Sequence, residues 1–179
     1  MRKWRIKKVS KWLVGNRILD CGCGDGSLLD VISEDTYYVG IDVNEERIEK
    51  DKKRGRRNAR FLLGDVEQDE LKVGKFDVVV ACALIEHLKN PKKFLLKISK
   101  LLSKNGRILI TTPTVEADRI LNLGSNIGIF DKEAYKEHRG YWGINEFKEV
   151  AKELNLTIYH YEKFQFGLNQ LIVLSKGRK

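Results

Sequence analysis

Asp20-Cys21-Gly22-Cys23-Gly24-Asp25-Gly26 decides how this chain is read. It follows a short apolar run, Arg17-Ile18-Leu19, closed by the acid Asp20. It precedes Ser27 to Ser33, where Leu28, Leu29, Val31 and Ile32 follow helical spacing. The segment is therefore a turn from a first strand into a helix. Glycines there let the main chain turn tightly and let a ligand lie against the backbone. A dinucleotide site would read G-x-G-x-x-G and hold a pyrophosphate at the helix N-terminus. Here the third glycine comes one residue early, and Asp20 precedes the first. That carboxylate would repel a pyrophosphate and would suit an ammonium group. A phosphate-loop lysine is also missing. The chemistry points away from NAD and ATP and towards a phosphate-free nucleoside that bears an amine.

Working outward, Tyr37 to Asp42 reads as a second strand that ends on an acid about twenty residues after the glycine turn. Open α/β nucleoside sites place a carboxylate there for ribose hydroxyls, and Val43 beside it offers a surface for a purine face. Arg60 to Leu63 is a third strand, followed by Gly64-Asp65. Asp65 can accept a hydrogen bond from an adenine amino group, with the Val66 amide nearby. Any one of these acids alone would read as a surface cap; the ordered set Asp20, Asp42, Asp65 after three successive strands is more specific. Asn44 can cap the helix after strand two, Glu45 and Glu46 suit its positive end, and Gly55 can stop it.

Phe76 to Ala81 is a fourth strand, apolar on both faces at Val78-Val79-Val80, as in a buried parallel strand. Asn90-Pro91 opens a helix whose stripe is Phe94, Leu95, Ile98, Leu101 and Leu102, and Asn105-Gly106 is expected to end it. Arg107 to Thr112 is a fifth strand stopped by Pro113. A last helix spans about Asn145 to Leu154. Thr157 to Phe164 and Gln170 to Leu174 then form a terminal hairpin. The pattern predicts one α/β domain over residues 1–179, doubly wound, with a mostly parallel sheet and helices on both faces. The stretch 114–143 is too long for an ordinary connection. It follows strand five at the ligand-binding edge, and it is expected to be a substrate cap.

The chain resembles the class I, seven-strand methyltransferases that use S-adenosylmethionine (SAM), and particularly their type 11 branch. The resemblance rests on Ile18 to Gly26 for the glycine motif, Gly40-Ile41-Asp42 for the ribose acid and Gly64-Asp65 for the adenine acid. Phe76-Asp77-Val78-Val79 through Glu86-His87-Leu88 matches the fourth-strand motif, and Leu101 through Ile108 the run into strand five. His138 through Phe147 is similar to the segment before the last helix. The resemblance implies sheet order 3-2-1-4-5-7-6 with strand seven antiparallel. It implies SAM bound by Asp20, Gly22, Cys23, Gly24, Gly26, Asp42, Val43, Asp65, Val66 and Cys82. It says little about the acceptor.

The catalytic candidates are few. His87 follows strand four, close to the expected methyl group, and imidazole titrates near neutrality. It is either a general base or a histidine that orders its loop. His138 is an alternative base. In the cap, Arg119 and Arg139 would favour an anionic acceptor, while Tyr141 and Trp142 would exclude water; Trp142 packing on the last helix is the plainer alternative. Cys82 reads as packing in the SAM pocket rather than as a nucleophile, since Ala81 and not proline precedes it. Cys21 and Cys23, in C-x-C spacing without a second pair, read as small turn residues and not as metal ligands. No metal is expected. The Asp/Asn-Pro-Pro-aromatic motif that holds an exocyclic amine on adenine is absent. Asn155-Leu156-Thr157 reads as a helix-to-strand turn.

The net charge of +9 on 179 residues is concentrated at Arg2 to Lys11 and at Lys50 to Arg60. It is either a footprint for RNA or a Lys-rich soluble surface. The second is favoured because no recognition module accompanies it. Three cysteines make no disulfide framework, no apolar run reaches the ~20 residues of a membrane span, and the basic start is not followed by a signal-peptide core. A cytoplasmic protein is expected; nothing specifies an oligomeric state. Three functions stay open: a methyltransferase acting on a small metabolite, one acting on tRNA or another RNA, and a SAM-binding protein without turnover.

Overall fold

The computed structural model describes residues 2–117 and 142–176. The described residues contain one sheet of seven strands. These are β1 (Arg17–Cys21), β2 (Tyr37–Asp42), β3 (Ala59–Leu63), β4 (Phe76–Cys82), β5 (Leu102–Pro113), β6 (Leu156–Phe164) and β7 (Asn169–Lys176). The order is 3-2-1-4-5-7-6. The first five strands pair in parallel, and β7 lies antiparallel to β5 and β6. Helices α1 (Arg2–Ser10), α2 (Glu45–Lys52), α3 (Pro91–Ser99) and α4 (Ile144–Glu153) flank the sheet. The doubly wound α/β reading holds, including the inner, antiparallel position of the last strand.

Strand periodicity assigns the two faces. Val78 and Val80 of β4, with Ile18 and Leu109, pack on Val9 of α1, on Leu28 and Leu29, and on Ile48 of α2. Val79 and Ala81, with Leu19, Ile108 and Ile110, pack on Phe94, Leu95 and Ile98 of α3 and on Phe147, Val150 and Ala151 of α4. Fully burying such a side chain stabilises by ~1.5–3 kcal/mol. These stripes, more than intrinsic propensity, hold helices of eight to ten residues. Caps fix their starts: Asn44 accepts the Arg47 amide and Asn90 the Lys93 amide, both at 3.0 Å.

Two expectations are corrected. Ser27 to Ser33 is not an α-helix but a 3₁₀ turn over Ser27–Val31. The carbonyls a helix would use are taken by side chains from beyond α2. Arg56 donates to the carbonyls of Leu29 (2.6 Å), Ile32 (3.0 Å) and Ser33, and Arg54 to that of Gly26 at 2.9 Å. The stripe ending at Leu102 also breaks early. Helix α3 stops at Ser99, and Leu102 joins β5, where it pairs with Phe76 while the Phe76 amide donates to the Leu101 carbonyl at 2.8 Å. Gly106 does not end a helix. It lies within β5, where a Cβ would come within 3.0 Å of the Phe76 carbonyl oxygen.

Candidate active site

The glycine turn is stitched to the end of β2. The Gly22 and Cys23 amides donate to the Ile41 carbonyl at 2.8 and 3.1 Å. The Asp42 carboxylate reaches back across the turn: its Oδ2 accepts the Gly24 amide and its Oδ1 the Asn44 amide, both at 2.9 Å. Gly22 and Gly24 sit at φ of +71° and +62°, a region that side chains disfavour. A Cβ on Gly24 would meet no atom within 4 Å, so open space lies against that backbone. Asp20, at the end of β1, is buried and accepts the Tyr38 hydroxyl at 2.8 Å. Burial raises its carboxyl from 3.8 to about 7, against the lowering effect of the Tyr38 hydroxyl.

These groups form one wall of a cavity of about 670 Å³, within the 300–1,000 Å³ range usual for ligand sites. Beside them, the neighbouring strand β4 and the turn after it contribute Val80, which pairs with Asp20, and Cys82, Ala83, Leu84 and His87. Arg2, Arg5 and Ile6 of α1 also line it. Helix α1 is held in place by Lys8 with Glu162 at 2.7 Å, by Arg5 donating to the Asn169 side chain at 3.2 Å, and by an ion pair of Arg2 with Asp25 in the glycine turn. Burial, then the Asp20 charge, push the Cys82 thiol up to about 12, so it is a protonated packing group at neutral pH and not a thiolate.

Residues 5–161 match the family model of the methyltransferase domain. The chain belongs to that family. With the 3-2-1-4-5-7-6 sheet, it is a class I, SAM-dependent methyltransferase of the type 11-like branch. It is similar to a ubiquinone biosynthesis O-methyltransferase of Pelagibacter ubique, 26% identical over 94% of this chain and 72% of that one. It is also similar to aklanonic acid methyltransferase DauC of a Streptomyces species, 29% identical over 63% of this chain and 55% of that one. The chain spans about half, 49%, of the related Coxiella burnetii ubiquinone biosynthesis O-methyltransferase. Among solved structures, magnesium protoporphyrin IX methyltransferase (ChlM) of Synechocystis, with bound SAH, superposes with TM-score 0.78 at 15% identity. That match covers 98% of this chain and 84% of the other. A TehB-like SAM-dependent methyltransferase of Corynebacterium glutamicum has TM-score 0.70 at 20% identity, over 97% and 87%.

The methyltransferase's cavity gathers Asp20, Gly22, Cys23, Gly24, Asp42, Val43, Cys82 and His87 from the sequence-derived set. Gly26, Asp65 and Val66 lie outside its lining. Gly26, at φ +63°, is pressed on Asp51, whose carboxylate a Cβ would approach to 2.9 Å. Asp65 caps its own turn, its Oδ1 accepting the Glu67 and Gln68 amides at 2.8 and 3.2 Å, and Val66 is buried in the core. Sequence reasoning missed Arg2, Arg5, Ile6 and Arg47 in the lining. The signal available was the spacing of Ile6 and Val9 inside the basic start, an apolar pair on one helical face.

On the acceptor side, Arg119, His138, Arg139 and Tyr141 lie outside the described residues. Trp142 packs against Phe147 of α4, ring centroids 5.2 Å apart and planes tilted by 58°, as the plainer reading has it. The two ends of the 114–143 stretch converge on buried Gln170 of β7. Its side-chain amide donates to the Pro113 carbonyl at 3.1 Å and to the Trp142 carbonyl at 2.5 Å. The stretch thus leaves and returns at one point beside the carboxyl end of β5. Of the basic arc, Arg54 and Arg56 are committed to the Ser27–Val31 turn, which leaves less of that charge for a polyanion. Among the described residues, no group of three or more His, Cys, Asp or Glu could hold a metal ion, and no helix is long and apolar enough to cross a membrane.

Proposed function

We propose that this methyltransferase transfers the methyl group of SAM to a hydroxyl oxygen of a small-molecule acceptor. One observation carries the reading: a single cavity joins the acidic wall of Asp20 and Asp42 to the β4 end that carries His87. The residues fit SAM. Each Asp42 oxygen accepts one amide and keeps further lone pairs for ribose hydroxyls. The open backbone at Gly24 admits a ligand, buried Asp20 suits an ammonium group, and Arg5 suits an amino-acid carboxylate.

When bound, SAM supplies an already activated methyl on a sulfonium. The protein's work is then alignment, exclusion of water and removal of one proton. His87 takes the hydroxyl proton of the acceptor. Support for a small hydroxylated acceptor comes from the relatives, whose names include O-methyltransferases of ubiquinone biosynthesis. The commitment of Arg54 and Arg56 to internal carbonyls weighs against an RNA acceptor.

The test is transfer from methyl-labelled SAM into two pools, hydroxylated small metabolites and total RNA. Label should enter the small-molecule pool and change little with salt. Label entering RNA, with activity falling steeply as salt rises, would overturn the reading. A protein that binds SAM and labels neither pool would be a binding protein without turnover.

A further inference from the structure

The hydrogen bond between Tyr38 and Asp20 is built with care for space. In the parallel pairing of β1 and β2, Asp20 stands opposite Gly40, and Tyr38 stands two residues before it, opposite Ile18. Residues two apart share a face of the sheet, so the phenol runs along Gly40 to reach Asp20. Only glycine leaves room for that path. A Cβ on residue 40 would lie 2.9 Å from Tyr38 Cε1, 3.0 Å from the Tyr38 hydroxyl and 3.0 Å from the Cys23 sulfur. The ring is fully buried and tilted against Phe61 at a centroid distance of 5.7 Å. A buried phenol needs a partner for its hydroxyl, and this one spends its proton on a carboxylate in the wall of the cavity, at 2.8 Å.

Charge around Asp20 explains why a donor is needed there. Asp42 of β2, Asp51 of α2 and Asp25 of the glycine turn all press negative charge towards it. The thiols of Cys21, Cys23 and Cys82 surround it with protonated groups. Positive charge comes from Arg2, Arg5 and Arg47 in the cavity lining, where His87 also stands. Burial and these acids favour the protonated carboxyl, which cannot pair with a cation. The Tyr38 hydroxyl, by its hydrogen bond, favours the ionised form.

We propose that Tyr38 is a positioning residue for SAM, holding Asp20 oriented and ionised to receive the ammonium group of the ligand. The proposal rests on the SAM-site reading and adds a residue that touches no ligand itself. Its consequence is a pH-dependent affinity. Binding an ammonium requires the carboxylate, so affinity falls as the pH drops below the titration of Asp20 and levels off above it. Removing the phenol hydroxyl moves that titration upward, because a hydrogen bond to the charged form is lost.

The test is calorimetric binding of S-adenosylhomocysteine, which keeps the ammonium group and is chemically stable, between pH 5.5 and 8.5. Tyr38→Phe keeps the ring and its packing. It should weaken binding about tenfold at pH 6.5 and shift the half-effect pH upward by about one unit, with near wild-type affinity regained at the alkaline end. Asp20→Asn should flatten the profile, and adding Tyr38→Phe to it should then change affinity little. A uniform loss in Tyr38→Phe, parallel to wild type at every pH, would make Tyr38 a packing residue and overturn the proposal. Wild-type protein that fails to bind the probe at any pH would instead remove the SAM-site reading on which the proposal stands.

Discussion

The two walls of the cavity are made in different ways. The wall at β1 and β2 is local: Asp20, the glycine turn and Asp42 lie within 23 residues and are tied by main-chain hydrogen bonds. The wall at β4 is assembled from afar. The turn after β4, Cys82 to His87, lines the cavity together with α1 from much earlier in the sequence, and Gln170 of β7 bonds the carbonyls of Pro113 and Trp142. On the proposed reading, SAM is met by a wall that depends on backbone conformation, and the acceptor by side chains gathered from distant elements. Substitutions should therefore separate the two walls cleanly.

The largest separation is expected at His87. His87→Ala should lower turnover by ~10²–10⁴ while SAM affinity stays nearly constant; single-turnover rates beside calorimetry read both. Normal turnover would return His87 to a loop-ordering role. The converse substitution is Asp42→Ala on the local wall. It should weaken SAM by ~2–5 kcal/mol, because the proposed ribose contact is lost and the Gly24 and Asn44 amides lose their acceptor. Unchanged affinity would remove Asp42 from the site.

A smaller effect concerns stability. The Asp20 carboxyl titrates at about 7 in the folded chain against 3.8 ordinarily. A raised carboxyl contributes stability that is fully present below pH 3.8 and is lost as the pH rises through about 7. The protein without ligand should thus be penalised at pH 8 by an ionised Asp20, and Asp20→Asn should raise its stability there by about 1–3 kcal/mol while leaving pH 4 nearly unchanged. Denaturant melts at the two pH values check this, and an equal shift at both would contradict it. The smallest contrast lies in the basic arc. Arg56→Ala should cost about 1–3 kcal/mol through three abandoned carbonyls, whereas exposed Lys53→Ala should stay within about 0.5 kcal/mol. Equal melts for the two variants would show that Arg56 is as dispensable as a solvated lysine.

The same division explains what was legible in the sequence. The strands and their buried faces were legible in apolar runs such as Val78-Val79-Val80, whereas their order came from the family resemblance; Asp20 and Asp42 stood out as acids closing strands beside glycines, and both line the cavity. The Ser27–Val31 turn reads as a helix in sequence because its competitors, Arg54 and Arg56, lie beyond the next helix. Helix α1 hid inside a charge run. Only Val9 of it is buried, and it is held by Glu162, Asn169 and Asp25, partners that local spacing does not reveal. Asp65 reads as a ligand acid in sequence; in the fold its Oδ1 also accepts the Glu67 and Gln68 amides of its own turn, a contact the spacing does not announce. The bond from Tyr38 to Asp20 needs the register that sets Asp20 opposite Gly40, which no single-chain pattern contains.

On the proposed reading, the acidic glycine turn selects a phosphate-free, amine-bearing nucleoside. Calorimetric titration of the purified protein with SAM, and separately with NAD, tests it most directly. SAM should bind at one site per chain and NAD should give no measurable heat, since Asp20 repels a pyrophosphate. Binding of NAD in place of SAM would contradict the account.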